Sequence, residues 1–243
     1  MSERMRADRL LVERGLFESR ARAQAAIEAG LVRAAGKPVR KASETVAADA
    51  EIEAEPAHPY VSRGGVKLAA ALDHFAFDPK GRVCLDVGAS TGGFTDVLLK
   101  RGARRIYAVD VGTDQLHKNL RTNPGVVSIE GADIRGLASA QLAEPPSLIV
   151  VDVSFISLRL VLPPALTLAA TSALLVALIK PQFEAGKAHL KKGIVRDESV
   201  HRAVCDDIAA LVASLGWLVV GVTPSPIAGG DGNREFLLGA RRG

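Results

Sequence analysis

Leu85-Asp86-Val87-Gly88-Ala89-Ser90-Thr91-Gly92-Gly93-Phe94-Thr95 is the stretch on which the reading of this chain turns. It follows the apolar run Val83–Leu85 and opens a helical pattern over 92–101, so it reads as a strand, a glycine-rich turn and a helix start. Glycine lets the backbone pass close to a ligand and lets N–H groups face it. The spacing is G-x-x-x-G-G, not the dinucleotide pattern G-x-G-x-x-G, which argues against a pyrophosphate. Asp86, at the strand end, suits a cationic or amine-bearing ligand. A plain strand-to-helix turn is the bland alternative.

Working outward, strands and helices alternate: Ile106–Val109 then 113–121, Leu148–Val151 then 157–171, Leu174–Ile179 then 198–215, and finally Trp217–Val222 and Phe236–Leu238. Repeated strand–helix units imply an α/β fold with a parallel sheet covered on both faces, whose ligands bind at the carboxyl ends of the strands. Asp110 ends the second strand, where a carboxylate can accept both ribose hydroxyls of a nucleoside. Asp133 follows Val126–Ile129 and can accept from an adenine amino group. Such a ribose carboxylate serves NAD and S-adenosylmethionine alike. Asp152 and Lys180 each follow a fully apolar strand, which sets an acid and a base side by side at the ligand edge, either as a structural pair or as chemistry. Lys67 and Glu235 are unremarkable singly, and Lys67 alone reads as solvated.

The N-terminal part has a different character. Residues 1–41 carry ten Lys or Arg against five acids, and residues 42–60 carry five acids and no Lys or Arg. A small module with one basic face follows, its helices at Ala7–Glu13 and from Ser19 to Gly30, its short strands at Leu31–Val32 and near Val46 and Ile52. The expected division is a module over 1–53, a linker over 54–60 with Pro56 and Pro59, and a larger α/β domain over 61–243.

Composition excludes little by itself: 243 residues, 48% hydrophobic, net charge +4 and two cysteines describe a globular protein of a reducing, cytoplasmic compartment. No secretory signal opens the chain. Leu160–Ile179 is uncharged and long enough to be read as a membrane span, but Pro163-Pro164, Thr167, Thr171 and Ser172 divide it into a helix (about 163–171) and a buried strand (about 173–179). The five histidines have no metal-ligand spacing, and the Glu198/His201 pair reads as solvated helix surface, so no metal is expected. Ser90 and Ser154 lack the nucleophile elbow of a hydrolase.

Taken together, the chain resembles the TlyA family: an S4-type RNA-binding module followed by an FtsJ-like (RrmJ-like) methyltransferase domain, sometimes labelled haemolysin A. The resemblance is carried by Ser19-Arg20, Ile27-x-x-Gly30, Ser62-Arg63-Gly64-Gly65-x-Lys67-Leu68, the Leu85–Thr95 stretch, Val109-Asp110-Val111-Gly112, Asp152-Val153-Ser154-Phe155-Ile156-Ser157, Lys180-Pro181-Gln182-Phe183-Glu184, Lys192-Gly193-Ile194-Val195-Arg196-Asp197 and Gly232-Asn233-x-Glu235-Phe236-Leu237. It implies a small α+β S4-like module, a Rossmann-like class I methyltransferase domain with a largely parallel seven-stranded sheet, and S-adenosylmethionine as cofactor. It also implies 2′-O-methylation of cytidine in ribosomal RNA, 23S with 16S as a second candidate, and a Lys-Asp-Lys-Glu tetrad at Lys67, Asp152, Lys180 and Glu235. The cofactor residues expected on this resemblance are Asp86, Gly88, Ala89, Ser90, Thr91, Gly92, Gly93, Phe94, Asp110, Val111, Asp133, Ile134 and Asp152. Arg6, Arg9, Arg20, Arg22, Lys37, Arg40, Lys41 and Arg63 are expected to bind RNA, the partner being ribosomal RNA or a ribosomal subunit, with neither a membrane nor an obligate protein partner.

The sequence departs from the family where Asn-Gly and Glu-Arg-x-Asn are usual and Ala35-Gly36 and Glu130-Gly131-Ala132-Asp133 stand instead. The chain ends shortly after Leu238, like the shorter subclass associated with the large-subunit RNA. Three competing readings are a membrane-active haemolysin, an RNA-binding assembly factor without turnover, and an NAD-dependent enzyme.

Overall fold

The computed structural model describes residues 3–229 and 232–243 and divides the chain into two compact units, Met1–Pro59 and Tyr60–Gly243. The first unit runs β1 (Arg4–Arg6), α1 (Ala7–Glu13), α2 (Arg20–Glu28), β2 (Val32–Ala34), β3 (Lys37–Pro38), β4 (Thr45–Ala47) and β5 (Ile52–Ala54). Ser19 starts α2 as expected, its side chain accepting from the Arg22 N–H. Ala7, Leu10, Leu11, Phe17, Ala23, Ala26 and Ile27 form the core between the helices and two small sheets, β1-β4 and β3-β2-β5. β1 has no counterpart in the sequence reading. Three residues are too few to show a period of two, and only pairing with Thr45–Ala47 defines the strand.

The second unit runs α3 (Gly64–His74), β6 (Val83–Val87), α4 (Gly93–Lys100), β7 (Arg105–Asp110), α5 (Lys118–Arg121), β8 (Val126–Glu130), β9 (Leu148–Val151), α6 (Leu158–Thr167), β10 (Ala173–Ile179), α7 (Pro181–Glu184), α8 (Glu198–Ser214), β11 (Leu218–Pro224) and β12 (Phe236–Arg242). Its seven strands form one sheet in the order β11-β12-β10-β9-β6-β7-β8, parallel from β8 to β10, with β12 antiparallel to both β10 and β11. The central strands β6, β9 and β10 are almost wholly buried, as expected of strands covered on both faces. Separate apolar cores lie on the two faces, one built on α6 and α8, the other on α3 and α4.

Three expectations are corrected here. The helix expected over 113–121 is only Lys118–Arg121, because Glu130 accepts from the N–H groups of Asp114, Gln115 and Leu116 and holds that segment as a loop. Of the two starts expected for the next helix, 157 and about 163, the earlier matches and the later is corrected: it begins at Leu158, so Pro163 and Pro164 lie inside it rather than opening it; its first turn is capped by Ser157 and by the Glu184 carboxylate, which accepts from the Leu158 N–H at 2.8 Å. His201 is 5% exposed, not solvated: its Nε2 meets the Val195 carbonyl at 3.1 Å and its ring lies against Phe236. Among the described residues no helix is long and apolar enough to cross a membrane, and no cluster of three or more His, Cys, Asp or Glu could hold a metal.

Candidate active site

Register brings the four tetrad positions to one corner. β10 pairs with β12 so that Ile179 faces Phe236, which makes Lys180 and Glu235 neighbours just beyond the ladder. β9 runs beside β10 with Val151 opposite Ala177, which carries Asp152 to the same edge. There the Lys180 ammonium stands 2.7 Å from an Asp152 oxygen and donates to Ser154 Oγ at 2.8 Å. Lys67, on α3, is 7% exposed and donates to Glu235, itself 3% exposed, at 2.5 Å. Lys67 is therefore not the solvated helix residue it reads as in isolation; Gly64, one turn earlier, packs beside the other Asp152 oxygen.

Two phenyl rings complete the edge. Phe155 is 91% exposed with φ of +63°, a backbone region that a β-carbon disfavours, and its ring lies 5.1 Å from that of Phe183. Glu184 accepts from Ser157 Oγ and the Leu158 N–H, cross-linking the segment after β10 to the segment after β9. Sequence reasoning quoted Ser154, Phe155, Phe183 and Glu184 within motifs but gave them no role; four polar or aromatic residues directly following two apolar strands were the available signal.

The glycine turn lies beside this corner. Gly88 has φ of +85°, and a β-carbon there would overlap the backbone carbonyl of Asp152, so the turn touches the segment that carries Asp152 directly. Gly92, with φ of +96°, starts α4 against Leu116 and Leu120. Both Asp110 oxygens accept backbone N–H groups, from Ser90 at 2.8 Å and Gly112 at 2.7 Å, which leaves each oxygen a lone pair for a ribose hydroxyl. Val111 beside it is 72% exposed, and Ser90 and Thr91 are exposed.

Other cofactor expectations are altered. Asp86 lies within β6, not at its end, and is fully buried; one oxygen accepts from Thr95 Oγ1 at 2.6 Å while Oδ1 has no hydrogen-bond partner. Burial chiefly, with the charges of Asp152 and Asp110, pushes its carboxyl up to about 7 against the opposing Thr95 bond. Asp133 is part-exposed and shares its carboxylate with the Arg135 guanidinium and N–H, which hold its pKa below the ordinary range. Ala89, Phe94 and Ile134 are buried core side chains, so a ligand would meet them through backbone alone.

Of the basic residues in the N-terminal unit, Arg6 and Arg20 converge on the buried carboxylate of Asp8, each through two nitrogens. Asp8 is 2% exposed, and the two guanidiniums hold its carboxyl far below the usual range. Arg9 and Arg22 pair with Glu13 and Glu18 along the helices, while Lys37, Arg40 and Lys41 are exposed. Arg63 is exposed at the start of α3, in the second unit.

A seven-stranded sheet with this single reversed strand, read with its glycine turn, defines the class of S-adenosylmethionine-dependent methyltransferases: residues 60–242 match the FtsJ-like methyltransferase family, and residues 5–52 match the S4 domain. The chain is 44% identical over 246 residues to the 16S/23S rRNA (cytidine-2′-O)-methyltransferase TlyA of Mycobacterium tuberculosis, covering 99% of this chain and 91% of that one. It is 40% identical to Hemolysin A of Brachyspira hyodysenteriae, covering 96% and 98%. The solved structure of a protein described as a hemolysin from Streptococcus thermophilus superposes with a TM-score of 0.79 at 41% identity, covering 100% of this chain and 90% of that one. The chain belongs to the TlyA family.

Proposed function

We propose that this protein methylates the 2′-hydroxyl of a cytidine in ribosomal RNA, 23S first and 16S as a second substrate, in the cytoplasm. The observation that carries the reading is the double pairing at one strand edge, Lys180 with Asp152 and Lys67 with Glu235, beside the glycine turn. The residues present fit S-adenosylmethionine: Asp86 keeps a buried oxygen with no hydrogen-bond partner among the described residues, Gly88 leaves room that a β-carbon would fill, and Asp110 retains acceptors for the ribose. When bound, the cofactor supplies an electrophilic methyl on a sulfonium centre.

The chain's own residues must then hold a weakly acidic hydroxyl in line and remove its proton as the new O–C bond forms, with reacting atoms about 3 Å apart. Lys180 has its Nζ fixed by Asp152 and Ser154 at the edge where the ribose enters; after releasing one proton to solvent, it is, as the neutral amine, the group that takes the proton from O2′. Lys67, locked by Glu235, donates to the acceptor sugar and keeps it from rotating out of line. Phe155 offers an open ring face on which a cytosine extruded from its stack can rest. The N-terminal unit, taken as an RNA-binding domain joined by a short linker, supplies phosphate contacts through Arg6, Arg9, Arg20, Arg22, Lys37, Arg40 and Lys41, with Arg63 on the catalytic unit.

The test is transfer of labelled methyl from S-adenosylmethionine to separated 30S and 50S subunits that lack the modification, followed by mapping of the 2′-O-methyl. Label in one or both RNAs, lost in Lys180→Ala with cofactor binding kept, is the expected result. No label in either subunit, with the cofactor bound, refutes the assignment.

A further inference from the structure

The segment between α7 and α8 carries Lys187, Lys191, Lys192 and Arg196, all exposed, and the mechanism above uses none of them. Within it Lys191 and Ile194 exchange both backbone hydrogen bonds, at 3.0 and 3.1 Å, around a two-residue turn. Both turn residues have positive φ, +53° at Lys192 and +79° at Gly193, which is the tight hairpin geometry of type I′. A lysine is an uncommon choice for the first of these positions, since its β-carbon disfavours the left-handed region. The strained residue is a cation pushed out at a hairpin tip, and neither Lys191 nor Lys192 is ion-paired among the described residues.

The hairpin is tied down from below. Asn233, 2% exposed, donates to the Gly193 carbonyl at 3.0 Å and accepts from the Val195 N–H at 3.2 Å, while the Val195 carbonyl meets His201 Nε2. Asn233 precedes Glu235 by two residues, so the segment that delivers Glu235 to Lys67 also grips the hairpin.

Resting on the reading of the protein as an RNA 2′-O-methyltransferase, we propose that the Lys191–Ile194 hairpin binds the phosphodiester backbone beside the target nucleotide, and that Asn233 is the positioning residue linking this contact to Glu235. Any nucleotide whose ribose enters the corner carries a phosphate on each side. The hairpin follows Lys180 in the chain and is bonded through Asn233 to the segment before Glu235, so both ends of the connection lead back to the corner, and its ammonium groups are the cations assigned to those phosphates.

The experiment measures equilibrium binding of an unmodified 23S rRNA transcript to the full chain over a salt series. Lys191→Gln/Lys192→Gln is expected to flatten the slope of log affinity against log salt by about 1.4 to 1.8, two contacts at roughly 0.7–0.9 each, with S-adenosylmethionine affinity unchanged. Lys80→Gln, an exposed lysine before β6, should leave the slope as in the wild type. Asn233→Ala should flatten the slope to a similar degree and also lower kcat. An unchanged slope in the double variant overturns the contact, and an unchanged slope in Asn233→Ala, whatever its kcat, overturns the link. Wild-type methyl transfer to separated 30S and 50S subunits is a separate arm: its absence refutes the enzymatic reading, while the slopes still decide the hairpin.

Discussion

Glu235→Ala leaves the Lys67 ammonium in a site where the lysine side chain is 9% exposed and its carboxylate partner has gone. Removing one member of a desolvated pair costs about 3–5 kcal/mol, because the remaining charge is neither hydrated nor neutralised. The unit carrying it spans 184 residues, Tyr60 to Gly243, and for a domain of that size each kcal/mol lowers Tm by about 2–4 °C, so Tm should drop by about 6 to 20 °C. Lys67→Met/Glu235→Leu removes both charges while keeping side-chain bulk, and such replacements are commonly neutral or stabilising. The double variant should therefore melt near the wild type yet transfer no methyl. Thermal denaturation by circular dichroism, alongside labelled methyl transfer, separates the two effects. A single-variant loss under about 1 kcal/mol would show that the pair is hydrated. Turnover in the double variant would refute its part in the chemistry.

Three further outcomes follow from the geometry. The fold favours the protonated form of Asp86, so its contribution to stability is full below the unfolded value of 3.8 and is lost as pH rises through about 7; Asp86→Asn should flatten the fall in Tm between about pH 4 and 7. Phe155→Ala removes a ring that is 91% exposed, so stability should change by no more than about 0.5 kcal/mol. Its kcat/KM on RNA should drop by the roughly 1–3 kcal/mol of one stacked base, and unaltered kinetics would dismiss the stacking role. Asp8→Asn raises the net charge by one yet should weaken RNA binding, because Arg6 and Arg20 lose the acceptor that aligns them; tighter binding in a filter assay would show that charge outweighs alignment.

What was readable in advance divides along the same physical line. The turn from Asp86 to Phe94 and the alternation of strands were legible because glycine spacing and apolar runs are local properties. Lys67 and Glu235 acquired meaning only through resemblance, since burial of a lone lysine depends on what packs over it, here a strand that begins at Phe236. Asp86 was read as a ligand contact, but the sequence did not show that Thr95, nine residues on, would face it across the turn. Asp133 was read without a neighbour, yet Arg135, two residues away, bonds its oxygens. His201 looked like surface because its own helix is amphipathic; the segment that covers it comes from Val195 and Phe236.

The place of β12 between β10 and β11 also dictates an order of assembly. The parallel strands β6 to β10 can pair as they emerge during synthesis, but β12, synthesised last, must slot into the middle of the finished sheet's antiparallel end. Until it does, Lys67 waits 168 positions upstream of its carboxylate, β10 keeps an open edge, and β11 has no neighbour. A nascent chain can thus complete its glycine turn well before Lys67 meets Glu235, so the pairing at that corner waits on one seven-residue strand and the residues leading into it.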